Sequence, residues 1–227
     1  MVQHIKRIAS PRSWPIMRKE YTWVTSPKSG HALDTSVSLN VVFKDLLKLT
    51  KTTKETRYII FNKDVKLNGN KVRSEKTGMG IFDVLTFGDT KENHTLLLNT
   101  RGRLVAKQIS DKEAANRISK VTGKTYLPGK RIQLNMAGGI NAVVQKDEYA
   151  VGDTVLFSLK EKKVTQNVKL EKGCLVYLLT GKNISKIAKV EDVKDRLLTC
   201  VCEDVEFKIG KDDVIVVGKD KPIITIE

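Results

Sequence analysis

The chain of 227 residues is short of nearly everything that enzymes and membrane proteins use. It has no run of about 18 apolar residues, so no membrane-spanning helix is expected. It has no continuous apolar stretch at its N-terminus, so no secretory signal is expected either. Its three cysteines, Cys174, Cys200 and Cys202, are an odd number and no disulfide framework. Cys200 and Cys202 would share one face of a strand, but two ligands do not close a tetrahedral zinc site and no histidine adjoins them. Core packing is the expectation for both, and reduced thiols fit a cytosolic protein. The three histidines, His4, His31 and His94, show no ligand spacing. Thr122-Gly123-Lys124-Thr125 resembles the end of a phosphate-binding loop. That loop needs a further glycine where this chain has Ile118, so the nest of amides that cradles phosphate is missing. No Ser/His/Asp, Cys/His or paired-carboxylate arrangement stands out. The expectation is a protein that is not an enzyme, with no cofactor, metal or small-molecule substrate.

What the chain does have is positive charge. Lys and Arg number 41 against 26 Asp and Glu, a net charge of +15 with a pI near 9.7. Such a surface attracts polyanions, and nucleic acid leads the possible partners. The excess is uneven. Residues 166–227 carry eleven charges of each sign, so all of it lies in the first 165 residues. Solubility alone would not require that confinement, whereas an RNA-contacting face would.

Residues 1–36 read as an extended basic arm, punctuated by Pro11, Pro15 and Pro27. Lys6, Arg7, Arg12, Arg18, Lys19 and Lys28 alternate with Trp14, Tyr21 and Trp23. Such a segment is expected to order against a phosphate backbone, with an indole stacking on a base. The competing expectation is a tail whose tryptophans tuck against the next domain. Residues 37–49 give a helical stripe of Leu39, Val42, Phe43, Leu46 and Leu49. Thr52 and Glu55 form a capping box that opens a second helix to about Lys63. Asn68-Gly69 between short alternating runs signals a hairpin over 65–72. Residues 95–109 read as two strands around Arg101-Gly102. Ser110 and Glu113 form a further capping box, expected to open a helix to about Lys120. Short strands with glycine turns fill 131–165, and the same style runs from 173 to 226. The fold class expected is α+β.

These segments, taken in order, resemble the archaeal and eukaryotic small-subunit ribosomal protein family S-four-e. The resemblance rests on HIKRIASPRSWPIMRKEYTW (residues 4–23), SLNVVFKDLLKL (38–49), ETRYII (55–60), VKLNGNKVR (65–73) and GIFDVL (80–85). It continues in KRIQLNMAGGIN (130–141), YAVGDTVLF (149–157) and EKGCLVYLLTGKNISKI (171–187). It implies four parts: the arm at 1–36, an S-four RNA-binding domain of two helices and a hairpin at 37–89, a mostly-β middle domain at 90–165, and a KOW domain folded as an SH3-like barrel at 166–227. It implies a structural protein bound to small-subunit rRNA, beside neighbouring ribosomal proteins, on cytoplasmic ribosomes.

Carried onto this chain, the RNA-binding set is Lys6, Arg7, Arg12, Trp14, Arg18, Lys19 and Trp23 in the arm; Lys44, Lys48, Lys51, Lys54, Arg57, Lys71 and Arg73 in the S-four domain; Lys130 and Arg131 in the middle; and Lys182, Asn183 and Lys186 in the KOW loop. Lys44 stands where the family usually has Arg, which keeps the charge but loses the bidentate fork. Ala137-Gly138-Gly139-Ile140-Asn141 replaces the family's His-Asp-Gly-Arg-Asn. Ser185 occupies the KOW turn position normally held by Gly, where a positive φ would be awkward for it. Two rival readings are an RNA-modifying enzyme, which needs a catalytic domain that the short runs after residue 89 do not supply, and a free translational regulator of one mRNA.

Overall fold

The computed structural model describes residues 4–90, 92–129, 131–194, 196–202, 205–219 and 222–223. The chain is mostly β, with 46% of residues in strands against 15% in helices. It divides into two compact units, Met1–Ala114 and Ala115–Glu227.

The first unit runs β1 (Ile5–Lys6), β2 (Trp23–Val24), β3 (Ser36–Ser38) and α1 (Leu39–Val41), the last continuing as a π-helical turn over Val42–Leu46. Then come α2 (Thr53–Asn62), β4 (Val65–Leu67), β5 (Asn70–Lys71), β6 (Gly78–Gly80), β7 (Val84–Phe87), β8 (Glu92–Leu98), β9 (Leu104–Ile109) and α3 (Asp111–Ala114). β1 pairs with β2, β3 pairs with β6, and the main sheet has the order β5-β4-β7-β8-β9. Phe43, Ile60, Leu85, Leu96, Leu97 and Leu104 are among its buried core residues. Phe43 and Phe87 meet edge to face with centroids 5.5 Å apart.

Several local signals act as their chemistry dictates. Thr52 caps α2, its hydroxyl accepting from Glu55 N while the Glu55 carboxylate accepts from the Thr52 amide. Asn68 and Gly69 take φ values of 50° and 76°, the two left-handed positions of the tight turn joining β4 to β5. The expected helix over 37–49 is shorter than its stripe. Residues 36–38 are spent on pairing with β6, and Lys48 turns left-handed at φ 54°, which leaves Leu49 54% exposed.

The N-terminal segment is not a free arm. Trp14 is only 2% exposed, and its indole N–H donates to Ser36 O at 2.8 Å and Leu33 O at 3.2 Å. Lys28 forms a parallel bridge with Thr77: its amide donates to Lys76 O at 2.7 Å, and its carbonyl accepts from Gly78 N at 2.9 Å. That approach depends on glycine. A Cβ at Gly78 would lie 2.3 Å from Ser29 Cβ, and one at Gly80 would lie 2.1 Å from the His31 ring. Buried Asp83 completes the seam, accepting from Gly80 N at 2.7 Å and from the Asn68 side-chain amide at 2.9 Å, with His31 Nε2 3.4 Å away.

The second unit contains β10 (Asn116–Leu127), β11 (Arg131–Met136), β12 (Ile140–Val144), β13 (Thr154–Ser158) and β14 (Lys163–Val168), ordered β12-β11-β10-β13-β14. It continues with β15 (Leu175–Leu178), β16 (Ile187–Lys194), β17 (Leu197–Cys202), β18 (Val205–Gly210) and β19 (Val214–Gly218), ordered β18-β17-β16-β15-β19. Every pairing in both sheets is antiparallel. Cys174, Cys200 and Cys202 are buried, and burial pushes the Cys200 thiol up to about 11. Lys120 is buried as well; its ammonium donates to the Lys211 and Val214 carbonyls and ties β10 to the segment around β19.

The helix expected from Ser110 to Lys120 ends at Ala114, and Asn116–Leu127 is a strand. β10 is buried on both faces from Arg117 to Val121, which erases the alternation that marks a half-buried strand. The seam expected at 89/90 falls between β7 and β8 of one continuous sheet, and that at 165/166 falls inside β14.

Two stability measurements follow. Trp14→Ala should cost about 3–5 kcal/mol in urea unfolding of the first unit, as truncation of a buried indole does. Ser185 does adopt a left-handed backbone, at φ 73°. Ser185→Gly should therefore stabilise the chain by about 0.5–1 kcal/mol, read as a higher melting temperature.

Candidate nucleic-acid interface

Anchoring the N-terminal segment to the first unit creates a groove of about 380 Å³ along the start of α1 and α2. Its walls include Arg7, Tyr21, Trp23, Lys44, Arg57 and Lys76. Pairing of β1 with β2 sets Lys6 opposite Trp23. Trp23 and Tyr21 are 54% and 59% exposed. Each ring has a cation beside it: Lys6 Nζ lies 6.0 Å from the Trp23 centroid, and Lys44 Nζ lies 5.7 Å from that of Tyr21. His4 meets Trp23 edge to face at 5.1 Å. Large rings this exposed, with ammonium groups over them, suit a ligand that combines flat aromatic faces with negative charge.

Beneath the rings the groove is polar and fixed. Arg7 is buried, pairing with Asp45 at 3.2 Å and Glu20 at 3.9 Å, and it lies 5.5 Å from the Tyr21 ring. Asn40, 5% exposed, donates to Thr25 and Thr53 hydroxyls at 2.7 and 3.3 Å. Among the described residues nothing donates to Asn40 Oδ1 or accepts from Arg7 Nε. Glu75 is buried and accepts from Arg57 at 2.7 Å. That bond lowers the Glu75 carboxyl from its ordinary value and raises the Arg57 guanidinium.

Comparisons with known proteins place the geometry in context. A model described as "Ribosomal family S4e" matches residues 90–164, and one described as "RS4NT (NUC023) domain" matches residues 2–34. The small ribosomal subunit protein eS4 of Methanosphaera stadtmanae is 33% identical over 231 residues, covering 99% of this chain and 95% of the relative. This chain belongs to the S4e family of ribosomal proteins. The eS4 of Methanococcus vannielii is 34% identical over 239 residues, covering 99% of this chain and 97% of the relative. The crystal structure of the 30S ribosomal protein S4e from Thermoplasma acidophilum matches with a TM-score of 0.71 at 26% identity, over 82% of this chain and 96% of that one.

Within this S4e chain the groove gathers Arg7, Trp23, Lys44 and Arg57, with Lys6 beside Trp23, from two separate parts of the sequence. Other expected residues are placed elsewhere or otherwise employed. Trp14 is core and cannot stack on a base. The Arg7 guanidinium is held by carboxylates, and Arg18 donates to the Ile8 and Pro11 carbonyls at 3.1 and 3.0 Å, bracing the N-terminal segment. Both were expected at phosphates because basic residues in a loop read as free until their partners are known. Arg12, Lys19, Lys48, Lys51, Lys54, Lys71 and Arg73 are exposed. Arg131 is exposed at the start of β11, and Lys130 lies outside the described residues. Lys182 is exposed at the turn before β16, where Asn183 and Lys186 are half-buried. Tyr21, Lys76 and Asn40 belong to the groove but not to the expected set. Tyr21 had a signal, two residues before Trp23 in a basic stretch; the other two had none.

Among the described residues no helix is long and apolar enough to cross a membrane.

Stability should reveal the Arg57–Glu75 pair. A carboxyl whose pKa is lower when folded adds stability above its unfolded value of about 4.3, and that stability fades as pH falls through the folded value. Melting temperature should therefore drop on acidification below about pH 4.5. Arg57→Gln should lower it at neutral pH and shrink that acid-side drop; an unchanged acid profile would mean that the pair carries no linkage.

Proposed function

We propose that this chain is a structural constituent of the small ribosomal subunit that binds and positions rRNA chiefly through lysine and arginine contacts to phosphate, and that it makes and breaks no bond. Membership of the S4e family over nearly the whole chain supports this reading, and the ring-and-cation groove is the single geometric observation that carries it. The α1, α2 and β4–β5 elements are read as an S-four RNA-binding domain within 37–89. Residues 90–165 are read as the middle module, and 166–227 as a KOW domain curled into an SH3-like barrel whose Lys182–Lys186 loop meets RNA or a neighbouring protein. These are modules of sequence, and two of their seams run through continuous sheets. In this reading the protein acts on cytoplasmic ribosomes.

Phosphate contacts set register and affinity, while lysines on a surface carry no pattern specific to one base. RNA recognition is then largely by shape. Each phosphate neutralised releases condensed counterions, so with about eight contacts log affinity for rRNA should fall against log salt with a slope of roughly −6 to −7. Lys44→Gln should weaken binding across RNA sequences and reduce the slope magnitude by about 1. A slope near zero would sink the proposal. So would sedimentation that leaves the protein free of small subunits, the behaviour of a soluble regulator.

A further inference from the structure

Resting on the rRNA reading above, we propose that the groove at Trp23 binds an unpaired nucleotide segment, with a base on the exposed indole and its phosphates at Lys6 and Lys44, and not the side of a duplex. A duplex hides its base faces in its own stack and offers only phosphate, sugar hydroxyls and base edges. Lysines on an open convex surface suffice for that. Here each cation lies over an aromatic ring that is more than half exposed, and the exposed part of such a ring adds most to the binding of a ligand with a free flat face. Unpaired nucleotides supply that face and the charge together.

Two further observations point the same way. Asn40 Oδ1 and Arg7 Nε, an acceptor and a donor buried in residues that line the groove, lack partners among the described residues. An unmet buried polar atom is costly; a base amino group is the kind of donor that Asn40 Oδ1 lacks and a phosphate oxygen the kind of acceptor that Arg7 Nε lacks, and a duplex surface does not reach into a cleft of this kind. Behind His4, which lines both spaces, lies a second cleft of about 520 Å³, lined mainly by carbon and including Ile5, Pro27, His31 and Leu33. A base displaced from its strand has room there beside the His4–Trp23 pair.

The test uses the full chain, with a short single-stranded RNA carrying 2-aminopurine and a blunt RNA duplex of equal length. The single strand should bind with quenching of 2-aminopurine fluorescence, the signature of stacking. Trp23→Ala should abolish the quench and weaken single-strand binding about ten-fold or more, the loss of one stacked base. Duplex binding should change less than about two-fold, and Trp23→Phe should restore the quench. Circular dichroism checks that both variants stay folded, which the exposure of Trp23 favours. Equal losses for the two RNAs, or unchanged single-strand binding in Trp23→Ala, overturn the inference while leaving the rRNA reading standing. Failure of the native chain to bind either RNA, or rRNA itself, overturns both.

Discussion

The first unit depends on two missing side chains. The segment carrying Lys28, Ser29 and His31 lies against β6 only because Gly78 and Gly80 present bare backbone, leaving room for the Lys28 amide and carbonyl to bond across the gap. With that seam closed, Trp14 lies in the core and Arg18 donates to the Ile8 and Pro11 carbonyls. The short β1–β2 ribbon is then held beside α1 and α2. A stretch too polar and proline-interrupted to fold by itself becomes a structural wall. The groove is what remains between that wall and the helices, so the candidate interface is a consequence of packing and needs no specialised element of its own.

The wall also sorts its basic residues into two chemical roles. Arg7 and Arg18 are turned inward, where a guanidinium can satisfy carboxylates and backbone carbonyls with several donors in one plane. Lys6 remains at the rim of the wall, as Lys44 does on the facing helical turn, where a hydrated ammonium on a flexible stem keeps its freedom. Net charge alone does not distinguish these jobs. The same holds in the second unit, where Lys120 is a buried tie between sheets although it lies within the first 165 residues that carry the chain's whole excess of positive charge.

Features governed by local backbone chemistry were legible in the sequence. The Thr52–Glu55 box and the Asn68-Gly69 turn each follow from residues within a few positions of one another, while the left-handed turn position of Ser185 was legible only through the family resemblance. What escaped depends on distant partners. The stretch after Ser110 carries a capping signal, but Ile118, Ser119 and their neighbours find strand partners some forty residues on, in β13, and pairing overrides the local start. The fate of Trp14 was undecidable because a tryptophan among arginines suits either a base or a core. Its partners, the carbonyls of Leu33 and Ser36, lie 19 and 22 residues along the chain, beyond a local reading. The family resemblance reached farther than the physical reading because it covers the chain from end to end, whereas charge and periodicity speak only for one segment at a time.

The docking of the N-terminal segment onto β6 has a consequence for synthesis. The chain is made from its amino end, so the residues of β1 and β2 leave the tunnel before the glycines that receive them exist outside it. At about 5–20 residues per second, some seconds pass between the appearance of Ser36 and that of Gly80. Through that interval a cationic, tryptophan-bearing ribbon hangs beside the translating ribosome, itself a dense polyanion. For those seconds the segment stands exposed to the very kind of molecule it is proposed to hold.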